Sequence, residues 1–151
     1  MPGTKEGTTR RTFIAGAALV SVLPLGAARA TPEAMAAAIK EVVGDTAIRE
    51  GRVTLDVPPL IENGNTVPVT VSVESPMSEQ SYVTEVLVVG DGNPNGGMAT
   101  FHFSPASGAA EANTRIRLAA SQNIIAVAKM NDGSFFTATK PVKVTIGGCG
   151  G

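Results

Sequence analysis

The chain has 151 residues and a formal net charge of −1, with 12 Lys and Arg against 13 Asp and Glu. This length suits one domain, and the charge excludes the strongly basic face that nucleic-acid binding needs. With one cysteine and one histidine, the chain also lacks the Cys and His sets typical of structural zinc sites.

The first 30 residues predict a signal peptide. Arg10 and Arg11 form a twin-arginine pair, an apolar run follows, and the small residues ending at Ala30 form the predicted cleavage site. The segment TRRTFI matches the twin-arginine export pattern, with an ordinary secretory signal as the alternative. The apolar run is too short to span a membrane. The sequence therefore predicts a periplasmic protein that consists of residues 31–151.

The predicted cleavage removes four basic and one acidic residue, leaving eight basic against twelve acidic residues and a formal charge of −4. No later stretch is long and apolar enough for a membrane span. Exported proteins commonly form disulfides, but a single cysteine cannot form one within its chain. An unpaired cysteine in an exported protein indicates an intermolecular bond or a reactive thiol.

The segment TPEAMAAAIKEVVGD predicts one helix at the start of the mature chain. Thr31 suits the N-cap and Pro32 the first helical position, and Gly44 ends the helix. Apolar side chains recur at helical spacing and predict one buried face: Met35, Ile39, Val42 and Val43.

Beyond Ile48 the hydrophobic period changes to two, which indicates strands. Turn residues separate seven predicted strands: RVTLDV, TVPVTVSV, SYVTEVLVVG, MATFHFS, TRIRLAA, NIIAVAKM and FFTATKPVKVTI. Pro58, Pro59 and Pro68 indicate sheet edges or strand starts, because proline cannot donate to the ladder. We therefore expect residues 31–146 to form an all-β domain with one N-terminal helix. Its predicted architecture is an antiparallel immunoglobulin-like sandwich, without the Cys–Trp–Cys core of antibody domains.

Two segments that could suggest sites are interpreted as structural. DGNPNG, from Asp91 to Gly96, begins like a calcium loop, but its twelfth position is His102 instead of glutamate, so a turn is predicted. His102 lies between Phe101 and Phe103 on a predicted strand and should point away from both, toward solvent or a partner. The sequence predicts no catalytic residue, cofactor or metal.

The C-terminal pentapeptide is the strongest functional signal. Cys149 is flanked by Gly147 and Gly148 on one side and by Gly150 and Gly151 on the other. Glycine loses the most conformational freedom on folding, and chain ends order least. We therefore expect these five residues to form a flexible arm that exposes the thiol at the end of the last strand.

Three interpretations of this tail remain at this point. Cys149 can carry a group as a thioadduct, or the terminal glycine carboxylate can be activated as in ubiquitin-like sulfur carriers. The second requires a helix grasped by a sheet, which an exported all-β chain does not offer. In the third, the domain is an interaction module that dimerises through a Cys149 disulfide.

The chain resembles the SoxY family of periplasmic sulfur carriers. The resemblance rests on the terminal GGCGG after a β domain with a twin-arginine signal, and it covers essentially the whole mature chain. Further segments that carry it are IENGNTVPV, FHFSPASGAAEANTRIRLA, QNIIAVAKMNDG and VKVTIGGCGG.

The resemblance implies a covalent substrate carrier that is not itself an enzyme. It implies a heterodimer with SoxZ, a second small β-sandwich protein. It also implies that the haem protein SoxAX conjugates thiosulfate to Cys149, that SoxB releases sulfate, and that SoxCD oxidises the remaining sulfur where it is present. The reactive form of the cysteine is its thiolate, and a bound sulfur chain is a reversible modification akin to persulfidation.

Overall fold

The computed structural model describes residue 3 and residues 32–148. Within residues 32–148, one helix precedes nine strands that form two packed sheets. This arrangement confirms the predicted all-β sandwich with one N-terminal helix. Several residues of the sequence predictions lie outside the described residues: Arg10, Arg11, Ala30, Thr31, Cys149, Gly150 and Gly151.

Helix α1 spans Pro32–Val43, as predicted. It ends because Gly44 adopts a φ of 63°, and the Gly44 N–H donates a 2.8 Å hydrogen bond to the carbonyl oxygen of Lys40. The predicted apolar face packs on the outer side of one sheet, where Val43, Val127 and Phe135 form a small buried cluster.

The strands are β1 (Ile48–Glu50), β2 (Val53–Asp56), β3 (Leu60–Asn63), β4 (Val67–Val73), β5 (Val83–Gly90), β6 (Gly97–His102), β7 (Ala110–Ile116), β8 (Gln122–Met130) and β9 (Phe135–Ile146). The larger sheet has the order β1-β9-β8-β5-β6, and β3 also pairs with β9. The smaller sheet has the order β2-β4-β7. The main hydrophobic core lies between the two sheets.

The pairing is not wholly antiparallel, which corrects one detail of the prediction. Strands β1 and β3 both pair with β9 in parallel, whereas the other ladders are antiparallel. Both short strands lie along the edge of β9 that β8 leaves open. The strand predicted from residue 114 to 120 also begins earlier than expected, since β7 spans Ala110–Ile116.

Proline occurs inside two strands without breaking their ladders. Pro141 on β9 lies between the residues that pair with β1 and those that pair with β3, so its missing N–H faces a gap. Pro68 on β4 pairs with β7 but lies beyond the stretch that pairs with β2. Each proline therefore occupies a local sheet edge, as the sequence predicted for Pro68.

Candidate functional site

The C-terminal end of β9 is the candidate site, because the sequence places the single cysteine three residues beyond Ile146. Strand β3 guides this end of β9, with Asn63 opposite Ile146 in a parallel ladder. Just after β3, the Gly64 N–H donates a 2.8 Å hydrogen bond to the carbonyl oxygen of Ile146. The last strand is thus held by backbone pairing up to its final residue.

The contact continues beyond the strand. The Gly148 N–H donates a 2.8 Å hydrogen bond to the carbonyl oxygen of Leu118, and the Leu118 N–H donates one of the same length to the carbonyl oxygen of Gly64. Gly148 is buried, and Leu118 has no exposed surface. We call this meeting of the backbone at Gly64, Leu118 and Gly148 the glycine junction.

The glycine junction differs from the predicted arm. The sequence suggested a flexible segment from Gly147 onward, but Gly147 and Gly148 lie against the body of the domain. The physical reason is spatial. A Cβ on Gly147 would lie 2.1 Å from the carbonyl oxygen of Ala119, and one on Gly148 would lie 2.8 Å from that of Gly64. These two glycines permit close backbone packing, so the described part of the predicted arm lies against the domain, and the flexibility of the arm stays a prediction.

A buried amide pair supports the loop that carries Leu118. The Asn93 side chain donates from Nδ2 to the carbonyl oxygen of Arg117 at 2.7 Å, and its Oδ1 accepts from the Ala119 N–H at 3.0 Å. The Gln122 side chain donates to the same Oδ1 at 2.8 Å. Asn93 therefore holds the residues on both sides of Leu118 and leaves the Leu118 backbone free to bind the two glycines.

The loop that contributes Asn93 is the segment predicted as a turn, and it does connect β5 to β6. Its first residue also holds the start of β8, since the Asp91 carboxylate accepts hydrogen bonds of 2.8 Å from the backbone and the side-chain amide of Asn123. The sequence did not predict the structural role of Asn93, because its hydrogen-bond partners are more than 20 residues away along the chain. The buried position of Asn93, between Gly92 and Pro94, is visible only in the fold.

Two arginines lie beside the glycine junction. Arg117 directly precedes Leu118, and Arg115, on β7, lies three residues before Leu118. Both side chains are exposed and line one shallow cleft together with Asn93 and Asn95. Within the described residues, neither arginine forms an ion pair, since the only ion pair there joins His102 to Glu85 at 3.8 Å. Among the described residues, the lining of this cleft therefore holds two cationic side chains and no carboxylate.

His102 and Asp132 lie away from the junction. The side chain of His102 is 74% exposed, as predicted, and Phe101 and Phe103 pack against the core on the opposite side. Asp132 lies in the turn between β8 and β9, where hydrogen bonds from the hydroxyl and the backbone N–H of Ser134 lower the pKa of its carboxyl group. In the part of the chain that the structure describes, no group of three His, Cys, Asp or Glu could hold a metal ion. No helix between residues 32 and 148 is long and apolar enough to cross a membrane.

Comparisons with known proteins agree with the fold and identify relatives. A family model described as sulfur oxidation protein SoxY matches residues 39–149. The solved structure of the sulfur carrier protein SoxY from Chlorobium limicola f thiosulfatophilum is 27% identical, with a TM-score of 0.63, and the match covers 74% of this chain and 92% of that chain. No curated protein sequence matches the chain.

The same fold occurs in a superoxide reductase. The superoxide reductase (neelaredoxin) from Ignicoccus hospitalis is 19% identical, with a TM-score of 0.56, over 81% of this chain and 99% of that chain. At this identity the similarity concerns the fold alone. The family match is more informative, because it includes the glycine junction and ends at the single cysteine.

Proposed function

We propose that this chain, which belongs to the SoxY family of sulfur oxidation proteins, carries sulfur intermediates as covalent adducts of Cys149. Membership in the family and the match to a solved sulfur carrier place the chain in sulfur oxidation. The observation that carries the finer proposal is that the family match extends to Cys149 itself. Cys149 is the only thiol in the chain, so a thiol-bound intermediate has one attachment point.

The chemistry of loading follows from the reactivity of a thiolate. The Cys149 thiolate and the outer sulfur of thiosulfate form an S–S bond, and the pair loses two electrons to the haem groups of the partner SoxAX. The product is a cysteine S-thiosulfonate. Water then attacks the terminal sulfur on SoxB, which releases sulfate and two protons and leaves a persulfide on the carrier. The carrier itself catalyses neither step.

The proposed setting is the periplasm, reached by the twin-arginine route after cleavage at Ala30. The proposed stable partner is SoxZ, and SoxAX, SoxB and SoxCD are proposed as transient partners that act in turn on the same sulfur. Tethering raises the local concentration of an intermediate for each successive enzyme. A carrier therefore keeps reactive sulfur species from diffusing free between steps.

Intact mass spectrometry tests the proposal. The purified protein is incubated with SoxZ, oxidised SoxAX and thiosulfate, and its mass should increase by one thiosulfate group that a reducing agent removes. Cys149→Ser is the matched control, since it replaces only sulfur by oxygen, and it should gain no mass. Adducts that persist in this variant would rule the proposal out. A non-reducing gel on the same samples shows whether Cys149 instead forms a dimer that thiosulfate cannot convert.

A further inference from the structure

We infer that Gly64 is a positioning residue for the carrier thiol, because the glycine junction fixes the point at which the chain leaves the domain. The inference rests on the proposed function for the role of Cys149. The contacts that support it join residues 64, 118 and 148, which lie far apart in sequence. A flexible arm beginning at Gly147 would let the thiol range widely, whereas an anchored Gly148 leaves it one residue from a fixed point.

Three hydrogen bonds form a continuous chain through the junction. Gly64 donates to the carbonyl oxygen of Ile146, Leu118 donates to that of Gly64, and Gly148 donates to that of Leu118, each at 2.8 Å. Gly64 takes part in two of the three. Loss of its position therefore disturbs both the end of β9 and the loop that receives Gly148.

The need for glycine at position 64 is one of space. A Cβ at this position would lie 2.2 Å from the carbonyl oxygen of Leu118 and 2.8 Å from the nitrogen of Gly148. Non-bonded heavy atoms do not approach this closely. Gly64 has no positive φ, so its backbone conformation alone would accept alanine. Any side chain at position 64 must push Leu118 and Gly148 apart.

Hydrogen bonds hold the loop that carries Leu118, so a side chain at position 64 should displace Gly148 and not Leu118. Asn93 binds the backbone on both sides of Leu118. The hydroxyl group of Ser121 accepts from the Val144 N–H at 2.9 Å, which ties the following residues of the loop to β9. Because the loop is held from two sides, Gly148 is the partner that has to move. The end of the chain, and the thiol with it, should then be released.

The direction of the chain also follows. Gly147 lies against Ala119 and Gly148 lies against Leu118. The C-terminal segment therefore runs antiparallel to this loop, in the direction of Arg117. The described chain therefore ends beside the backbone of Leu118, the residue that follows Arg117. Partners that load or unload sulfur would find the thiol in one region of the surface.

Distance measurement between two spin labels tests the inference without any sulfur partner. One nitroxide is attached to Cys149 and the other to Ala47→Cys, an exposed position just before β1, whose Ile48 pairs with the first residue of β9. The labels should lie about 35–40 Å apart, close to the length of a twelve-residue strand. Double electron–electron resonance gives the distance distribution, and thermal unfolding of the same samples gives stability.

Gly64→Ala should widen this distribution by up to about 1.7-fold, since the root-mean-square span of a free segment grows as the square root of its length and three residues replace one. Gly97→Ala is the matched control, because no atom lies within 4 Å of a Cβ built at Gly97 and its φ is not positive. It should leave the distribution unchanged. An unchanged width in folded Gly64→Ala protein would overturn the inference.

A second variant covers the case in which Gly64→Ala does not fold. Gly147→Ala places a Cβ 2.1 Å from the carbonyl oxygen of Ala119 and lies beyond the last strand, so it disturbs the junction with less effect on the core. It should also widen the distribution, and an unchanged width would again overturn the inference. Thiosulfate loading is measured separately. If the parent protein gives a narrow distance distribution but no thiosulfate adduct, the result contradicts the proposed function and still supports the positioning role of Gly64.

Discussion

Gln122 donates a 2.8 Å hydrogen bond from its side-chain amide to Oδ1 of Asn93, and both side chains are buried. Buried amides cost free energy unless they are paired. Here the hydrogen bonds of Asn93 tie the loop after β5 to the loop before β8 and to Gln122, the first residue of β8. The amide pair is therefore the polar support of the glycine junction on the side away from β9.

Replacing Asn93 by alanine should lower the free energy of unfolding by about 2–3 kcal/mol. The change leaves the carbonyl oxygen of Arg117 and the N–H of Ala119 without their partner, and an unsatisfied buried group costs about 1–3 kcal/mol. Urea unfolding measures the loss. Asn95→Ala is the control, since Asn95 lies in the same loop but is exposed, and it should change stability by less than about 0.5 kcal/mol. Equal stability of the two variants would mean that the amide pair contributes little.

The sequence predicted most of the fold because its strands carry strong local patterns. β4 alternates buried valines with more exposed residues, as period two requires. The later part of β5 is buried on both faces because the core covers one face and α1 contacts the other. By contrast, β1 and β3 are short, largely exposed and without a clear pattern. They exist because β9 offers them a free edge, which no local signal reports.

The site was predictable only in part for the same reason. Cys149 was identified from its position and composition, and it lies outside the described residues. The glycines before it were interpreted as flexible because glycine favours mobility in an isolated chain end. Gly64 lies among the turn residues that separate the first two predicted strands. Its actual importance depends on Leu118 and Gly148, which only the tertiary fold brings to it.

A change of Asp132 to asparagine should remove part of the pH dependence of stability. The hydroxyl group of Ser134, followed by the Ser134 backbone N–H, lowers the pKa of the Asp132 carboxyl group. A lowered pKa stabilises the folded state above the unfolded pKa of about 3.9, and this contribution is lost as the pH falls through the folded value.

Urea midpoints at neutral and acidic pH measure this effect. The parent protein should be more stable than Asp132→Asn at pH 7, and the two should converge in acid. Asp45→Asn removes a carboxylate from another exposed turn and serves as the control for net charge. A constant difference between parent and Asp132→Asn at every pH would show that the carboxyl group is not the titrating element.

Replacing His102 by alanine should leave thiosulfate loading unchanged. His102 pairs with Glu85, Glu85 with Lys129, and Lys129 with Phe135, the first residue of β9. The histidine is therefore level with the start of β9, a strand length of about 35–40 Å from its end. The fraction of protein that gains one thiosulfate group, measured by intact mass, should match that of the parent within error. A clear loss of loading would give His102 a role in partner binding.

Replacing Arg117 by glutamine should slow the reaction of the thiol with anions more than with neutral reagents. Arg117 is exposed and unpaired among the described residues, and the next residue, Leu118, accepts the hydrogen bond from Gly148. For a separation of about 6–8 Å in water, a unit charge contributes about 0.5–0.7 kcal/mol, which corresponds to about a 2- to 3-fold change in rate.

The measurement is the ratio of the alkylation rates of Cys149 by iodoacetate and by iodoacetamide at low ionic strength. The ratio removes any change in the fraction of thiolate, because both reagents need the same thiolate. It should fall by about 2- to 3-fold in Arg117→Gln, and the difference should shrink in high salt. Arg49→Gln removes the same charge from exposed β1 near the start of β9, where it should have no effect. If the rate ratio falls equally in Arg117→Gln and Arg49→Gln, the net charge of the protein attracts iodoacetate, and the position of Arg117 beside the junction does not matter.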